Sequence, residues 1–229
     1  MKNCGTNQVF VCGGGHQGLA MAAHLALNGV SVTMWNRSSE HIQDIIDTGE
    51  IYCSGVVSGV AKIKRASSVF SEVVSDFVMV TTPSSAHKDI AKELAPYVHK
   101  DMIVVLNPGR TFGAIEFAQT LVDCGVKELP HIAETQTIVY TCRRGEKNTS
   151  NIFVLKQDVK IAALKYSDIN YIMSKMPDCL RDCYSIVDSI LLTSFANVGM
   201  VLHCAPVMMN GKTEITHARS GMKKSLFSM

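Results

Sequence analysis

A glycine-rich turn directly behind an apolar run constrains the fold more than any other feature of the chain. The segment QVFVCG at 8–13 is typical of a buried strand, and GGGHQG at 13–18 follows it at once. Residues 16–28 then have the Ala- and Leu-rich pattern of a helix, which ends at Gly29. A strand, a tight turn and a helix in direct succession predict the first β-α unit of a parallel sheet.

Short apolar runs alternate with helical patterns over the next hundred residues. The further strand-like runs lie at 31–36, 62–66, 76–82 and 102–107, and the helical patterns lie at 39–48, 69–75, 84–95 and 113–124. Continuous apolar strands that alternate with helices are typical of a parallel sheet covered on both faces. We therefore expect an α/β fold with a doubly wound, Rossmann-type parallel sheet.

The turn contains the dinucleotide-binding pattern GxGxxG as Gly13, Gly15 and Gly18. The first glycine allows a tight turn, the second lets a pyrophosphate approach the backbone, and the third lets the helix pack closely on the strand. Free N–H groups at the start of the helix, where His16 and Gln17 lie, would bind the phosphates. The alternative is a glycine-rich turn without a ligand.

The end of the second strand favours NADP as the cofactor, with NAD as the alternative. NAD sites place Asp or Glu there to bind the ribose 2′-hydroxyl, whereas this chain has Asn36, Arg37 and Ser38. An arginine and neighbouring hydroxyls can bind a 2′-phosphate through charge-assisted hydrogen bonds. An ordinary polar turn would also explain the three residues.

Two later loops follow strands at the edge where open α/β sheets bind ligands. They are TTPSSAH at 81–87 and NPGR at 107–110. We expect Pro83 to give the first loop a rigid exit along the nicotinamide side, and Gly109 to let the second approach a ligand closely. Each segment taken alone is also compatible with a simple turn.

The second part of the chain changes character twice. Strand-like runs at 131–134, 137–143, 152–156 and 159–164 have little helix between them and predict an antiparallel or mixed extension of the sheet. From about residue 168 the pattern becomes helical. We predict a dinucleotide-binding Rossmann domain over 1–190 and the start of an all-helical substrate domain over 191–229.

Composition and charge argue against several classes of protein. A net charge of +2 gives no broad basic field, so we expect no nucleic-acid partner. No run has the ~18 apolar residues of a membrane helix, and the N-terminus lacks a signal-peptide pattern. We therefore expect a cytoplasmic protein without a membrane partner. The eight cysteines form no CxxC pair, so we expect no metal site, although the spacing of Cys179 and Cys183 leaves a metal pair open.

The segment NVGMVLHCAPVMMNG at 197–211 resembles the signature of opine dehydrogenases of the octopine and nopaline type, which reads roughly N-x-x-x-x-x-H-x-P-x-x-L-x-N-x-G. The residues at or near matching places are Asn197, His203, Pro206, Asn210 and Gly211. Two further segments, NPGRTFGAIEF at 107–117 and ETQTIVYTCR at 134–143, also look like parts of that family. The resemblance extends over nearly the whole chain.

The resemblance implies a reductive condensation of a 2-oxo acid with the amino group of an amino acid. Hydride from NAD(P)H would reduce the resulting imine, with the substrates bound between a Rossmann domain and an all-helical domain. By the same resemblance His203 would be the acid/base residue and Asn197 a second catalytic residue. An imidazole suits that role because it titrates near neutral pH, although a buried structural histidine is the alternative.

Members of this family are longer than this chain, which stops at Met229 after the polar, basic tail THARSGMKKSLFSM. We therefore expect a truncated helical domain and weak catalysis, because a histidine without its orienting partner is a poor catalyst. The alternatives are a ketopantoate-reductase-like or glycerol-phosphate-dehydrogenase-like enzyme and a non-catalytic dinucleotide-binding module. The apolar run at 200–209 leaves a homodimer open.

Overall fold

A computed structural model of the chain describes residues 6–196, which form two sheets and their covering helices. The strands are β1 Gln8–Cys12, β2 Ser31–Trp35, β3 Glu50–Gly55, β4 Gly59–Lys62, β5 Arg65–Ser67, β6 Phe77–Val80, β7 Ile103–Leu106, β8 His131–Thr135, β9 Tyr140–Arg144, β10 Thr149–Leu155, β11 Val159–Ala163 and β12 Tyr184–Ile186. The α-helices are α1 His16–Leu27, α2 Gln43–Thr48, α3 His87–Leu94, α4 Gly113–Asp123, α5 Ile169–Lys175, α6 Asp178–Arg181 and α7 Ile190–Phe195.

The main sheet has eight strands in the order β12-β11-β8-β7-β6-β1-β2-β5. The six strands from β5 to β8 are parallel, β11 is antiparallel to β8, and β12 is parallel to β11. The chain runs outward from β1 through β2 to β5 and then returns to place β6 on the other side of β1. This reversal is that of a doubly wound Rossmann fold, so the predicted fold class is confirmed.

The central strands are apolar on both faces because helices cover the sheet from both sides. All residues of β6 and β7 are buried. In β1, Val9 and Val11 belong to one hydrophobic core, whereas Phe10 and Cys12 belong to the other. This division follows from the alternation of side chains along a strand.

A second sheet, in the order β4-β3-β10-β9, covers the outer side of α1. The helix therefore lies between two sheets, and its residues from Gly18 to Leu25 are all buried. Alanines at 20, 22 and 23 keep the helix narrow enough for this position. A helix that is apolar all round is typical of such a fully covered location.

Two of the four predicted later strands extend the main sheet, and two do not. The runs at 131–134 and 159–164 become β8 and β11, as predicted. The other two become β9 and β10, and they pair with each other and with β3 to form the second sheet. The expectation that all four extend one sheet was wrong, because hydrophobic alternation identifies a strand but not its partner.

Smaller differences concern short elements. The predicted strand at 62–66 is divided between the end of β4 and the start of β5, and the predicted helix at 69–75 is a single 3-10 turn at Phe70–Glu72. The chain enters β12 before the last described helix begins at Ile190, where the Ser189 hydroxyl accepts a hydrogen bond from the Leu191 N–H. The domain division at 190 stays a prediction. Between residues 6 and 196, no helix has the length and apolar character needed to cross a membrane.

Candidate functional site

The carboxyl ends of five parallel strands lie side by side at one edge of the main sheet. The register aligns Trp35, Cys12, Val80, Leu106 and Glu134 across β2, β1, β6, β7 and β8. The loops that follow these residues therefore meet at one edge. The winding of the chain reverses between β1 and β6, and open α/β sheets bind ligands in the crevice at such a point.

The glycine-rich turn leaves β1 at this crevice. Gly13 has a φ of +113°, and its N–H donates a hydrogen bond of 2.8 Å to the carbonyl oxygen of Trp35. A Cβ atom on Gly18 would lie 1.7 Å from the carbonyl oxygen of Gly13, so only glycine permits this contact between helix and turn. A Cβ atom on Gly15 would meet no atom of the described residues within 4 Å. The turn is therefore closed on its helix side and open at Gly15.

Helix α1 begins beside this open space. Gly15 is its N-cap, no side chain of the described residues caps it, and its first turn holds no acidic residue. The positive end of the helix dipole and its first N–H groups, near His16 and Gln17, are thus available to an anion. Gln17 also has a buried Oε1 without a hydrogen-bond partner in the part of the chain described, while its Nε2 lies 3.5 Å from the Tyr140 carbonyl oxygen.

The segment after β2 contributes a side chain that is hydrogen-bonded to the glycine turn, and an exposed cation. The Oδ1 of Asn36 accepts a hydrogen bond of 2.9 Å from the Gly14 N–H, and its Nδ2 donates to the Ser38 carbonyl oxygen at 2.8 Å. Arg37 is 82% exposed and lies 3.8 Å from a carboxylate oxygen of Asp89. Asn36 therefore stabilises the turn, whereas Arg37 extends into solvent beside it.

Arg144, at the end of β9, reaches the glycine turn from the second sheet. Its Nη1 donates a hydrogen bond of 2.6 Å to the Gly14 carbonyl oxygen, and its Nη2 donates to the carbonyl oxygen of His41. Its backbone N–H donates to Nδ1 of His16 at 2.7 Å. Burial lowers the pKa of this guanidinium from its usual value. Sequence reasoning missed this residue, since 130 positions separate it from Gly14 and the segment ETQTIVYTCR ends one residue before it.

The loop after β6 forms the opposite wall of the crevice. The Thr81 hydroxyl donates a hydrogen bond of 2.8 Å to the Cys12 carbonyl oxygen and ties the end of β6 to the end of β1. Pro83 is exposed and precedes a 3-10 turn at Ser84–Ala86. Between this loop and the one after β7 lies a cleft of about 490 Å³, lined by Ser84, Ser85, Lys88, Gly109, Arg110, Thr111, Gly113 and Glu116.

The loop after β7 is held by the buried carboxyl group of Glu134. A Cβ atom on Gly109 would lie 2.4 Å from Cβ of Glu134, so this glycine makes room for a side chain of the protein itself. Glu134 also accepts hydrogen bonds from the Ala114 N–H at 2.9 Å and from the hydroxyls of Thr193 and Ser194 at 2.6 and 2.9 Å. The carboxyl group thus joins the loop, the start of α4 and helix α7.

A buried histidine lies behind the cleft. His87 has no exposed surface, and its ring lies beside the backbone of Thr82. Burial lowers its pKa, so the ring is neutral near pH 7. A Cβ atom on Gly113 would lie 3.3 Å from its Nδ1. The ring therefore packs against the start of α4.

The two predicted catalytic residues, Asn197 and His203, lie outside the described residues. Of the predicted cofactor residues, the structure brings together the glycine turn and the segment Asn36–Ser38, with Pro83 on the other side of the β1–β6 crevice. Their assignment to a cofactor stays a prediction.

Sequence comparison relates the chain to three groups of dehydrogenases. Residues 9–122 match the family model described as ketopantoate reductase PanE/ApbA. The chain is 32% identical over 203 residues to an opine dehydrogenase of Arthrobacter sp. (strain 1C), an alignment that covers 87% of this chain and 56% of the relative. It is 28% identical over 128 residues to a glycerol-3-phosphate dehydrogenase [NAD(P)+] of Acinetobacter baumannii, with 54% of this chain and 35% of the relative covered. The chain thus spans little more than half of the first relative and about a third of the second.

Solved structures share the fold at lower sequence identity. An octopine dehydrogenase described with NADH and L-arginine superposes with a TM-score of 0.69 at 18% identity, covering 86% of this chain and 52% of that one. A yersinopine dehydrogenase with bound NADP+ gives 0.60 at 11% identity, covering 82% and 48%. A ketopantoate reductase from Ralstonia eutropha JMP134 gives 0.57 at 18% identity, covering 80% and 57%.

Proposed function

We propose that residues 6–196 bind a nicotinamide dinucleotide for an NAD(P)H-dependent reaction of the opine type, since 87% of the chain aligns with an opine dehydrogenase at 32% identity. The observation that carries the proposal is the uncapped start of α1, which faces open space at Gly15 in the crevice between β1 and β6. That arrangement suits a diphosphate, because it offers free N–H groups, a positive dipole end and no obstructing side chain.

The residues around the crevice fit the parts of a dinucleotide. The N–H groups near His16 and Gln17 would hold the diphosphate, and the glycines at 13, 15 and 18 would allow its approach. The loop at Pro83 would lie along the nicotinamide half. When bound, the cofactor supplies the hydride for reduction. The protein itself supplies position, charge and the exclusion of water.

We favour NADP over NAD for this chain. No acidic residue follows β2 directly, and Arg37 is exposed beside the segment that would face the adenosine ribose. The structural relatives include one described with NADH and one with NADP+, so the fold accommodates either cofactor. The charge of Arg37 is the feature that favours a 2′-phosphate.

The substrates that we propose are a 2-oxo acid and an amino acid. Octopine dehydrogenase structures are described with pyruvate and with L-arginine. In this chain the cleft of about 490 Å³ next to the nicotinamide side carries Lys88, Arg110 and the hydroxyls of Ser84 and Ser85, besides the acidic Glu116. Cationic and hydroxyl groups suit the carboxylates of both substrates. His203 is the proposed acid/base residue, and Asn197 the proposed second catalytic residue.

A second candidate is a reductase of the ketopantoate type, which reduces an oxo acid without an amine. The family match to residues 9–122 favours it. That match covers only the part of the fold in which dinucleotide binding is expected, whereas the similarity to opine dehydrogenase extends over 87% of the chain. We therefore place the opine-type reaction first.

Dinucleotide binding can be tested by fluorescence, because Trp35 is the single tryptophan of the chain. It is 8% exposed and ends β2, directly before Asn36. Titration with NADPH and NADH should quench its emission saturably and sensitise that of the reduced nicotinamide, with tighter binding of NADPH. If neither nucleotide produces saturable quenching or heat in calorimetry, the proposal is wrong.

The reaction type can be tested by following NADPH oxidation with pyruvate alone and with pyruvate plus a panel of amino acids. An opine-type enzyme needs both substrates, whereas a ketopantoate-type reductase oxidises NADPH with an oxo acid alone. Binding without turnover on any pair would favour a binding module. We expect His203→Gln to lower kcat by about 10²–10⁴-fold, the range typical of general acid–base catalysis, and to leave the Kd of NADPH unchanged.

A further inference from the structure

Arg144 is held at the glycine turn by neutral acceptors only. Its guanidinium donates to the carbonyl oxygens of Gly14, His41 and Lys147, the last through Nε at 3.3 Å and Nη2 at 3.0 Å. Among residues 6–196, no carboxylate forms an ion pair with it, and Asp44 attracts it only from a greater distance. These contacts use four of the five guanidinium N–H groups and leave one on Nη1.

The position of this charge is unfavourable in the protein alone. Gly14 directly precedes Gly15, the N-cap of α1, so the guanidinium lies beside the positive end of the helix dipole. The guanidinium is charged throughout the physiological pH range. Two positive groups at one partly buried place repel each other unless an anion lies between or beside them. A phosphate group at the glycine turn would compensate both.

We propose that Arg144 is a phosphate-binding residue of the dinucleotide site, contributed by the second sheet. This inference rests on the proposed dinucleotide function. Arg144 supplies a fixed positive charge to the phosphates, and its bond to the Gly14 carbonyl holds the turn from the side opposite Asn36, whose amide oxygen binds the Gly14 N–H. The Gly14 residue is thus fixed at both its polar groups.

The chain offers a matched control one residue away. Arg143 precedes Arg144 on β9, is exposed, and carries the same charge. Successive side chains of a strand point to opposite faces. Replacing either arginine by glutamine therefore changes the net charge equally, but only the Arg144 substitution removes contacts with the glycine turn. The set consists of Arg144→Gln, Arg144→Lys and Arg143→Gln, each checked by thermal unfolding.

The test measures the Kd of NADPH and NADH for each variant at several salt concentrations. We expect Arg144→Gln to weaken binding on the order of tenfold to a hundredfold, as for loss of a charge-assisted hydrogen bond. It should also flatten the salt dependence of Kd, since one phosphate-facing charge is lost. Arg144→Lys should keep the salt dependence, and Arg143→Gln should resemble the wild type.

A comparison of NADPH with NADH shows which phosphate group Arg144 binds. Equal losses for NADPH and NADH assign Arg144 to the diphosphate, and a loss for NADPH alone assigns it to the 2′-phosphate. A wild-type Kd and salt dependence in Arg144→Gln would overturn the inference. So would weaker binding by both Arg144 variants with unchanged salt dependence and a parallel fall in Tm, because that pattern indicates a purely structural role.

Two outcomes separate this inference from the function on which it rests. If the wild-type chain binds neither nucleotide, the proposed function itself fails. If it binds them and Arg144→Gln binds them equally well, only the role of Arg144 fails. Should Arg144→Gln not fold, Arg144→Lys decides, because lysine keeps the charge but not the forked bonds to the three carbonyl oxygens. Wild-type affinity and salt dependence in Arg144→Lys support the inference, and weaker binding with unchanged salt dependence overturns it.

Discussion

The carboxyl group of Glu134 accepts a hydrogen bond of 2.6 Å from the hydroxyl of Thr193, a residue 59 positions later in the chain. This bond joins the carboxyl end of β8 to α7, the last described helix. The same side chain binds the start of α4, so one buried group fixes three segments beside the proposed substrate cleft.

Glu134→Gln should destabilise the protein while keeping the shape of the side chain. All three partners of Glu134 donate hydrogen bonds, and an amide NH₂ placed among them leaves at least one donor unsatisfied. A buried donor without an acceptor lowers the free energy of unfolding by about 1–3 kcal/mol. Chemical denaturation of the variant should show this decrease in the free energy of unfolding. Glu128→Gln, at an exposed position, is the control, and equal stability of both variants would contradict the assignment.

Two glycines of the turn should respond in opposite ways to an added side chain. Gly15→Val places its side chain in open space with φ at −79°, so the fold should persist while dinucleotide binding is lost. Gly18→Ala drives a Cβ atom into the Gly13 carbonyl oxygen and should lower Tm. Thermal unfolding and calorimetry of both variants check these two expectations. Wild-type affinity in Gly15→Val would refute the assignment of the GxGxxG pattern to dinucleotide binding.

Arg37→Ala should weaken the binding of NADPH about tenfold to a hundredfold and leave the binding of NADH almost unchanged. The reason is that a charge-assisted bond to phosphate contributes about 1.5–3 kcal/mol, and only NADPH has the 2′-phosphate. Arg143→Ala provides the same charge change elsewhere. Equal losses for both nucleotides, or tighter binding of NADH by the wild type, would contradict this role.

Acidification should destabilise the fold through buried histidines. Burial lowers the pKa of His24, which lies 3.0 Å from the Tyr140 hydroxyl, and also that of His87. A histidine with a lowered pKa binds fewer protons when folded than when unfolded, so its neutral form stabilises the fold above about pH 6.5 and this contribution is lost as the pH falls below that value. Denaturation between about pH 7.5 and about pH 5.5 should show falling stability. The slope should be smaller in His24→Gln than in the wild type, and identical slopes in the two proteins would exclude His24 as a contributor.

The parts of the fold that sequence reasoning predicted are those whose signal is local. The strand, turn and helix around Gly13 and Gly18 occupy some twenty consecutive residues, and their roles in the turn follow from the spacing alone. The contacts of Arg144 and Glu134 join segments far apart in the chain, so no local pattern contains them. The strand β3 and most of β4 were missed because many of their residues are exposed, so they lack the continuous apolar run of the central strands.

Asn36 illustrates the same limit within a correctly identified segment. Its position after β2 predicts a place near the ribose, which stays a prediction, and the structure shows that its amide also holds Gly14 and Ser38. Gly109 likewise makes room for Glu134, although the sequence suggested close approach to a ligand. In both cases the backbone position was predictable and the partner was not, because partners are set by tertiary packing.

The enclosure of α1 between two sheets makes the end of the helix at the glycine turn a fixed point of the molecule. A tilt or slide of this helix requires one of the two sheets to open, so its amide protons should exchange with solvent only when a large part of the domain unfolds. Substrate-induced movements would then take place around the glycine turn and leave its geometry unchanged. Substitutions in β3 or β4 that loosen the second sheet would therefore reduce dinucleotide affinity, although neither strand supplies a residue to the proposed site.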